Sequence, residues 1–96
     1  LIPDGGRVGA MKITVKLYAL LGSYLPPQAA DNQIDVEVDE GATPASIFAE
    51  FHVPPENCHL VLVNGVFVAP GERASHLLKD NDAVAAWPPI AGGDRS

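Results

Sequence analysis

A chain of 96 residues has room for one small domain, and 47% hydrophobic against 19% charged residues is the balance of a packed globule, not of a disordered acidic chain. Six basic residues against twelve acidic ones leave a net charge of −6, which argues against electrostatic binding to nucleic acid or anionic lipid and favours a partner with a basic surface. The single cysteine excludes an internal disulfide framework, and no apolar run approaches the roughly 18 residues that span a bilayer.

Residues 1–10 carry Pro3, Gly5, Gly6 and Gly9 where a signal peptide would be apolar, so they are expected to be a flexible leader, with Met11 a candidate natural start and the cytoplasm the expected location. From Met11 to Tyr18 the chain alternates. Met11, Ile13, Val15 and Leu17 point one way and Lys12, Thr14, Lys16 and Tyr18 the other, which predicts a half-buried strand. Gly22, Pro26, Pro27, Asp31 and Asn32 leave space for at most a short helical turn before the chain bends. A second alternating strand follows, with Ile34, Val36 and Val38 opposed to Asp35, Glu37 and Asp39. Antiparallel pairing of the two would set Lys12 and Lys16 near the Asp35 and Glu37 row.

Glu40-Gly41-Ala42 reads as a turn, and Thr43-Pro44 as a helix start, with a Thr N-cap and Pro at the first helical position. Ile47, Phe48 and Phe51 share one helical face, and Val53-Pro54-Pro55 is expected to end the helix within two or three turns. Asn64-Gly65, between Leu60–Val63 and Val66–Ala69, predicts a two-residue hairpin because both turn positions need positive φ. Residues 70–79 read as a loop with a helical turn at Ser75–Leu78, and Lys79-Asp80-Asn81-Asp82 turns the chain into a last strand, Ala83–Trp87. Strand, strand, helix, strand, strand, turn, strand predicts an α+β β-grasp domain over residues 11–90: a mixed four- to five-stranded sheet with one main helix on one face and the last strand parallel to the first at its centre. Residues 91–96 are then a flexible C-terminal tail.

Three pieces of the chain together resemble the MoaD/ThiS sulfur-carrier proteins, ubiquitin-like in fold: Leu62-Val63-Asn64-Gly65, Leu78-Lys79-Asp80-Asn81-Asp82, and Trp87-Pro88-Pro89-Ile90-Ala91-Gly92-Gly93. Pro-Pro before Ala-Gly-Gly is most similar to the small subunit of molybdopterin synthase. The resemblance implies a substrate protein, not a stand-alone enzyme. An E1-like activating enzyme would use MgATP to adenylate the Gly93 carboxylate, and a persulfide sulfur would displace AMP to leave a thiocarboxylate. Gly92, lacking a Cβ, would pass a narrow channel. Ala91, Ile90, Pro89 and Pro88 would form the stiff approach. The chain itself would bind no cofactor, MgATP belonging to the activating partner. Further partners implied are a large-subunit or biosynthetic enzyme, with no nucleic acid and no membrane.

Asp94-Arg95-Ser96 departs from that pattern, because it occupies the carboxylate that would be adenylated. A processing protease that removes these residues is therefore expected if sulfur chemistry is retained. Without such removal the chain is expected to be a non-catalytic β-grasp interaction module; conjugation of Gly93 to lysines of other proteins, and a role in thiamine or another thio-compound pathway, stay open. Two readings are also open for Trp87. If Val84 and Ala86 face the helix, Trp87 lies on the uncovered sheet face as a partner-docking aromatic; otherwise it is a core residue. Cys58-His59, with His52 and His76 far off, lacks zinc-site spacing and is expected to be a partly exposed loop cysteine without metal. Asp31, Asp35, Glu37, Asp39 and Glu40 form either a docking face for a basic enzyme or a solvated strand edge.

Overall fold

A computed structural model describes residues 11–89. Strands β1 (Met11–Leu17) and β2 (Gln33–Val38), helix α1 (Pro44–Glu50), and strands β3 (Leu60–Val63), β4 (Val66–Phe67) and β5 (Ala83–Trp87) follow in that order. Short 3-10 turns lie at Ala19–Tyr24, Pro55–Asn57 and Pro70–Glu72. The five strands form one sheet in the order β2-β1-β5-β3-β4. β5 runs parallel to β1, and every other neighbour pair is antiparallel. This is the β-grasp arrangement expected from the sequence, with the last strand at the centre of the sheet.

One face of the sheet carries the core. Ile13, Val15, Leu17, Val61, Val84 and Ala86 are fully buried and form a single cluster with Ile47 and Phe48 of α1. Ile34, Val36 and Val38 pack against that cluster but stay half-buried, because β2 is an edge strand with a neighbour on one side only. The β1–β2 register sets Lys12 opposite Glu37 and Lys16 opposite Gln33. Asp35 faces Thr14 instead, whose hydroxyl donates to Asp35 Oδ1 at 2.6 Å. The expected two-lysine, two-acid pairing is therefore half realised.

Helix α1 starts where Thr43-Pro44 predicts. Ser46 N donates to Thr43 Oγ1 at 3.2 Å and Thr43 N donates to Ser46 Oγ at 2.9 Å, a capping box in which Ser46 stands where Glu or Gln is usual. The helix ends earlier than the Val53-Pro54-Pro55 signal. His52 adopts φ 63, its N–H bonds to Ala49 O, and Val53 N–H reaches back to Phe48 O at 2.9 Å. These paired bonds are a Schellman closure, with buried Val53 packed near buried Phe48. Histidine at the left-handed position hides this stop from a sequence search for glycine.

The two turn motifs clasp each other. Asn64 and Gly65 take φ 52 and 83, as the hairpin requires. Asn64 Nδ2 donates to Asp82 Oδ1 at 2.8 Å, and Asn64 Oδ1 accepts from Ala83 N at 2.9 Å. Asp82 Oδ2 accepts from Lys79 N at 2.8 Å, while Asp80 Oδ1 accepts from Lys12 N at 2.8 Å. Asn81, at φ 72, donates its N–H to Lys12 O at 2.7 Å. The start of β5 is thus tied to β1 on one side and to the hairpin on the other.

Two sequence expectations need correction. β4 ends at Phe67, not Ala69, although Val68 N still donates to Val61 O at 2.9 Å. The helical turn in residues 70–79 is at Pro70–Glu72, not Ser75–Leu78, because Pro70 supplies the fixed φ of a first helical position and Leu78 is drawn extended into the core, donating to Ala42 O at 2.9 Å.

Candidate functional site

β5 delivers the chain to the end of the sheet at Trp87, and both of its neighbours hold it there. Tyr18 N donates to Ala86 O at 3.1 Å from the β1 side, and His59 N donates to Trp87 O at 2.9 Å from the β3 side. Beyond Trp87 the ladder stops, since Pro88 and Pro89 have no N–H to donate. Pro88 is half-buried and Pro89 exposed, and they share a shallow recess with Leu20, Tyr24 and Asn57. Ile90, Ala91, Gly92 and Gly93, the remaining candidate site residues, lie outside the described residues, as do Asp94, Arg95 and Ser96.

Trp87 lies on the uncovered sheet face. Val84 and Ala86 are fully buried in the core cluster, so period-2 alternation puts Ala83, Ala85 and Trp87 on the other side. Trp87 is half-buried there by Tyr18, whose ring stacks on it with centroids 4.6 Å apart and planes 15° from parallel. Cross-strand register carries the apolar surface further: Leu60 pairs with Trp87, and Leu62 pairs with Ala85 on one side and Phe67 on the other. Phe67 is 55% exposed. An apolar strip from Tyr18 across Trp87, Leu60 and Leu62 to Phe67 therefore covers half of the open face, with Lys12, Lys16, Asp35 and Glu37 on the β1–β2 half. Sequence reasoning had singled out Trp87 alone. The alternation of β3 held the signal for Leu60 and Leu62, but without the β3–β5 register nothing placed them beside Trp87. Asp31, Asp35, Glu37, Asp39 and Glu40 are all exposed.

Behind the arm sits a cation that the sequence did not flag. Arg73 is 9% exposed, and its guanidinium donates to three backbone carbonyls: Cys58 through Nη1, His59 through Nη2 at 3.2 Å and Val68 through Nε at 3.4 Å. His59 thus holds Trp87 through its N–H while its own carbonyl is held by Arg73.

Cys58 is buried, not partly exposed as its loop position suggested. Desolvation raises its thiol pKa above 9.0, opposed in part by the nearby Arg73 charge. The native thiol therefore keeps its proton where the unfolded chain would lose it, so this contribution to stability is intact below about pH 9.0 and is lost as pH rises beyond. Its reaction with a disulfide reagent at pH 7 is expected to be far slower in the native protein than in urea. Equal rates in the two conditions would contradict its burial. Among the described residues, no group of three or more His, Cys, Asp or Glu side chains is placed to hold a metal ion. No helix among them is long and apolar enough to cross a membrane.

Comparison with known proteins gives this geometry a context. Residues 26–93 match the ThiS family. Among solved structures, the Haloferax volcanii HVO 2177 protein is 26% identical, with a TM-score of 0.65 over 88% of this chain and 89% of that one. SAMP1 from Haloferax volcanii is 25% identical, with a TM-score of 0.58 over 85% of this chain and 99% of that one. A Pyrococcus furiosus protein described as molybdopterin converting factor, subunit 1, has a TM-score of 0.57 at 22% identity, over 83% of this chain and 99% of its own, and shares the fold. None of the curated protein sequences compared matches the chain. With the β-grasp sheet and the match through the glycine pair, the chain belongs to the ThiS family, ubiquitin-like carriers and modifiers that enzymes act on as substrates rather than catalysts.

Proposed function

We propose that this protein is a cytoplasmic sulfur carrier whose Gly93, once a processing protease has removed Asp94-Arg95-Ser96, is adenylated and converted to a thiocarboxylate. The observation that carries this reading is the extent of the family match, which runs through Gly92 to Gly93 and ends there. An E1-like enzyme supplies MgATP: a Gly93 carboxylate oxygen attacks the α-phosphorus and pyrophosphate leaves, the outer sulfur of a persulfide displaces AMP to give an acyl disulfide, and a second thiol attacks the persulfide's inner sulfur, so that the Gly93 thiocarboxylate leaves and the two thiols are left as a disulfide. Pro88, Pro89, Ile90 and Ala91 would form a stiff approach, and Gly92, lacking a Cβ, would leave room in a narrow channel. From Pro89 to Gly93 an extended chain reaches at most about 14 Å. The enzyme must therefore approach the body closely, and the apolar strip around Trp87 is the surface we assign to that contact and to docking on a biosynthetic large subunit. Molybdopterin synthesis is the pathway proposed, on the likeness of the Pro-Pro-Ile-Ala-Gly-Gly segment to the small subunit of molybdopterin synthase.

Intact-mass measurement of the protein purified from its native cell tests the reading. A species ending at Gly93 with one oxygen replaced by sulfur is expected. Persistence of only the chain that continues past Gly93, in cells with active sulfur transfer, would remove the carrier reading and leave a β-grasp interaction module. The likeness to SAMP1 favours one further alternative, conjugation of Gly93 to lysines of other proteins. Ladders of covalent higher-mass adducts would mark it.

A further inference from the structure

We infer that the cleft between α1 and the loop at residues 70–74 is a binding site for a small monocarboxylate with an apolar body, its carboxylate held by Arg73. The cleft has a volume of about 260 Å³. Buried Phe48, Cys58 and Arg73 form its floor, and exposed Ala49, Pro70 and Ala74 form its rim. The space exists because the side chains around it are short. Ala45 and Ala49 stand one turn apart on the α1 face that also carries Phe48, and Ala74 lines the cleft from the loop.

The walls are held apart. Ala45 N donates to Arg73 O at 3.0 Å, which sets the helix at a fixed distance from the loop, and the Arg73 guanidinium ties that loop to the carbonyls of Cys58, His59 and Val68. Alanine and proline side chains have no rotamers with which to fill the gap. The cleft is therefore preformed, as small-molecule sites usually are.

Charge sets the polar end of the ligand. Arg73 is 9% exposed, and its three acceptors are all neutral backbone carbonyls. A guanidinium carries five N–H groups, so one on Nη1 and one on Nη2 are left without an acceptor among the described residues. A buried cation with spare donors favours an anion, and a carboxylate spans the two terminal nitrogens of a planar guanidinium. Size sets the rest. An apolar cavity of about 150 Å³ holds benzene, so this cleft accommodates about ten non-hydrogen atoms. The net charge of −6 gives such a ligand no long-range attraction, so the apolar walls must supply most of the affinity.

The test titrates hydrocinnamate, and its neutral counterpart hydrocinnamyl alcohol, into the isotope-labelled full chain followed by NMR. Shift changes at Ala45, Ala49, Cys58 and the Arg73 Nε–H are expected for the acid, with the alcohol binding about ten-fold more weakly. Ala49→Leu places a larger side chain at an exposed helical position that tolerates it, and is expected to weaken the acid at least about ten-fold while the free protein stays as stable. Ala74→Glu adds a carboxylate at the rim and is expected to weaken the acid but not the alcohol. Equal binding of the two probes removes Arg73 as the carboxylate partner and overturns the proposal. Acid binding undiminished by Ala49→Leu places the probe elsewhere and overturns it as well. Absence of shifts at these residues up to about 10 mM acid does the same, and leaves the cleft to an apolar side chain of a protein partner.

Discussion

The chain ending at Gly93 is expected to support ATP–pyrophosphate exchange with its activating enzyme, and the chain that continues into Asp94 to give only background. The reason is chemical. Adenylation needs a carboxylate oxygen free to attack the α-phosphorus, and in the Gly93-Asp94 peptide that carbon bears an amide nitrogen instead. On the proposed reading other carboxylates of the extension are not expected to substitute, because they sit on residues with a Cβ, beyond the side-chain-free Gly92-Gly93 pair. Gly92→Val in the chain ending at Gly93 separates access from chemistry: the carboxylate is intact, yet a β-branched side chain at the channel is expected to cut exchange on the order of 100-fold through misplacement of the reacting atom. Exchange by the extended chain equal to that of the trimmed one would show that Gly93 is not the adenylated residue. Absence of exchange by both, with binding to the enzyme retained, would be the behaviour of an interaction module.

Much of the scaffold behind this arm was legible in the sequence because it follows from local rules. Period-2 alternation located β1 and β2, the Lys79-Asp80-Asn81-Asp82 turn located the start of β5, the Thr43-Pro44 pair located the start of α1, and Asn64-Gly65 located the hairpin. The features that escaped are those in which the backbone is held by an unexpected residue type. His52 closes α1 in a position where glycine is usual, Ser46 completes the capping box, and Ala19 turns the chain at φ 55. None of these has a signature, since each is imposed by tertiary packing over local preference.

The arm was legible in composition but not in its mounting. Trp87-Pro88-Pro89 is conspicuous, while the Tyr18 stack depends on the parallel β1–β5 register, which sets Leu17 beside Ala86 and so Tyr18 beside Trp87. Register of this kind is a property of two strands separated by most of the chain. Likewise Asn64 and Asp82 are each readable as turn residues, but their mutual hydrogen bond gives them a second role that neither turn alone requires. Together the clasp at the start of β5 and the stack at its end fix both ends of the strand that bears the arm.

Arg73→Met is expected to cost the largest share of stability of any single polar substitution in this fold, about 3 kcal/mol. Methionine keeps most of the apolar stem but leaves the carbonyls of Cys58, His59 and Val68 without the donor that reaches them. A buried acceptor stranded in this way costs roughly 1–3 kcal/mol, and the long Nε contact to Val68 at 3.4 Å contributes least. For a domain of this size the loss corresponds to a fall of roughly 12–24 °C in Tm. Lysine recovers only part of it, because an ammonium group lacks the planar fork that reaches adjacent carbonyls at once. The effect should change little between low and high salt, since these bonds are buried and not surface ion pairs. Urea denaturation at two ionic strengths, with calorimetry, measures all three expectations; an Arg73→Met protein as stable as the original would mean that water satisfies those carbonyls and that the guanidinium is not the strut between the 70–79 loop and the strand beside Trp87.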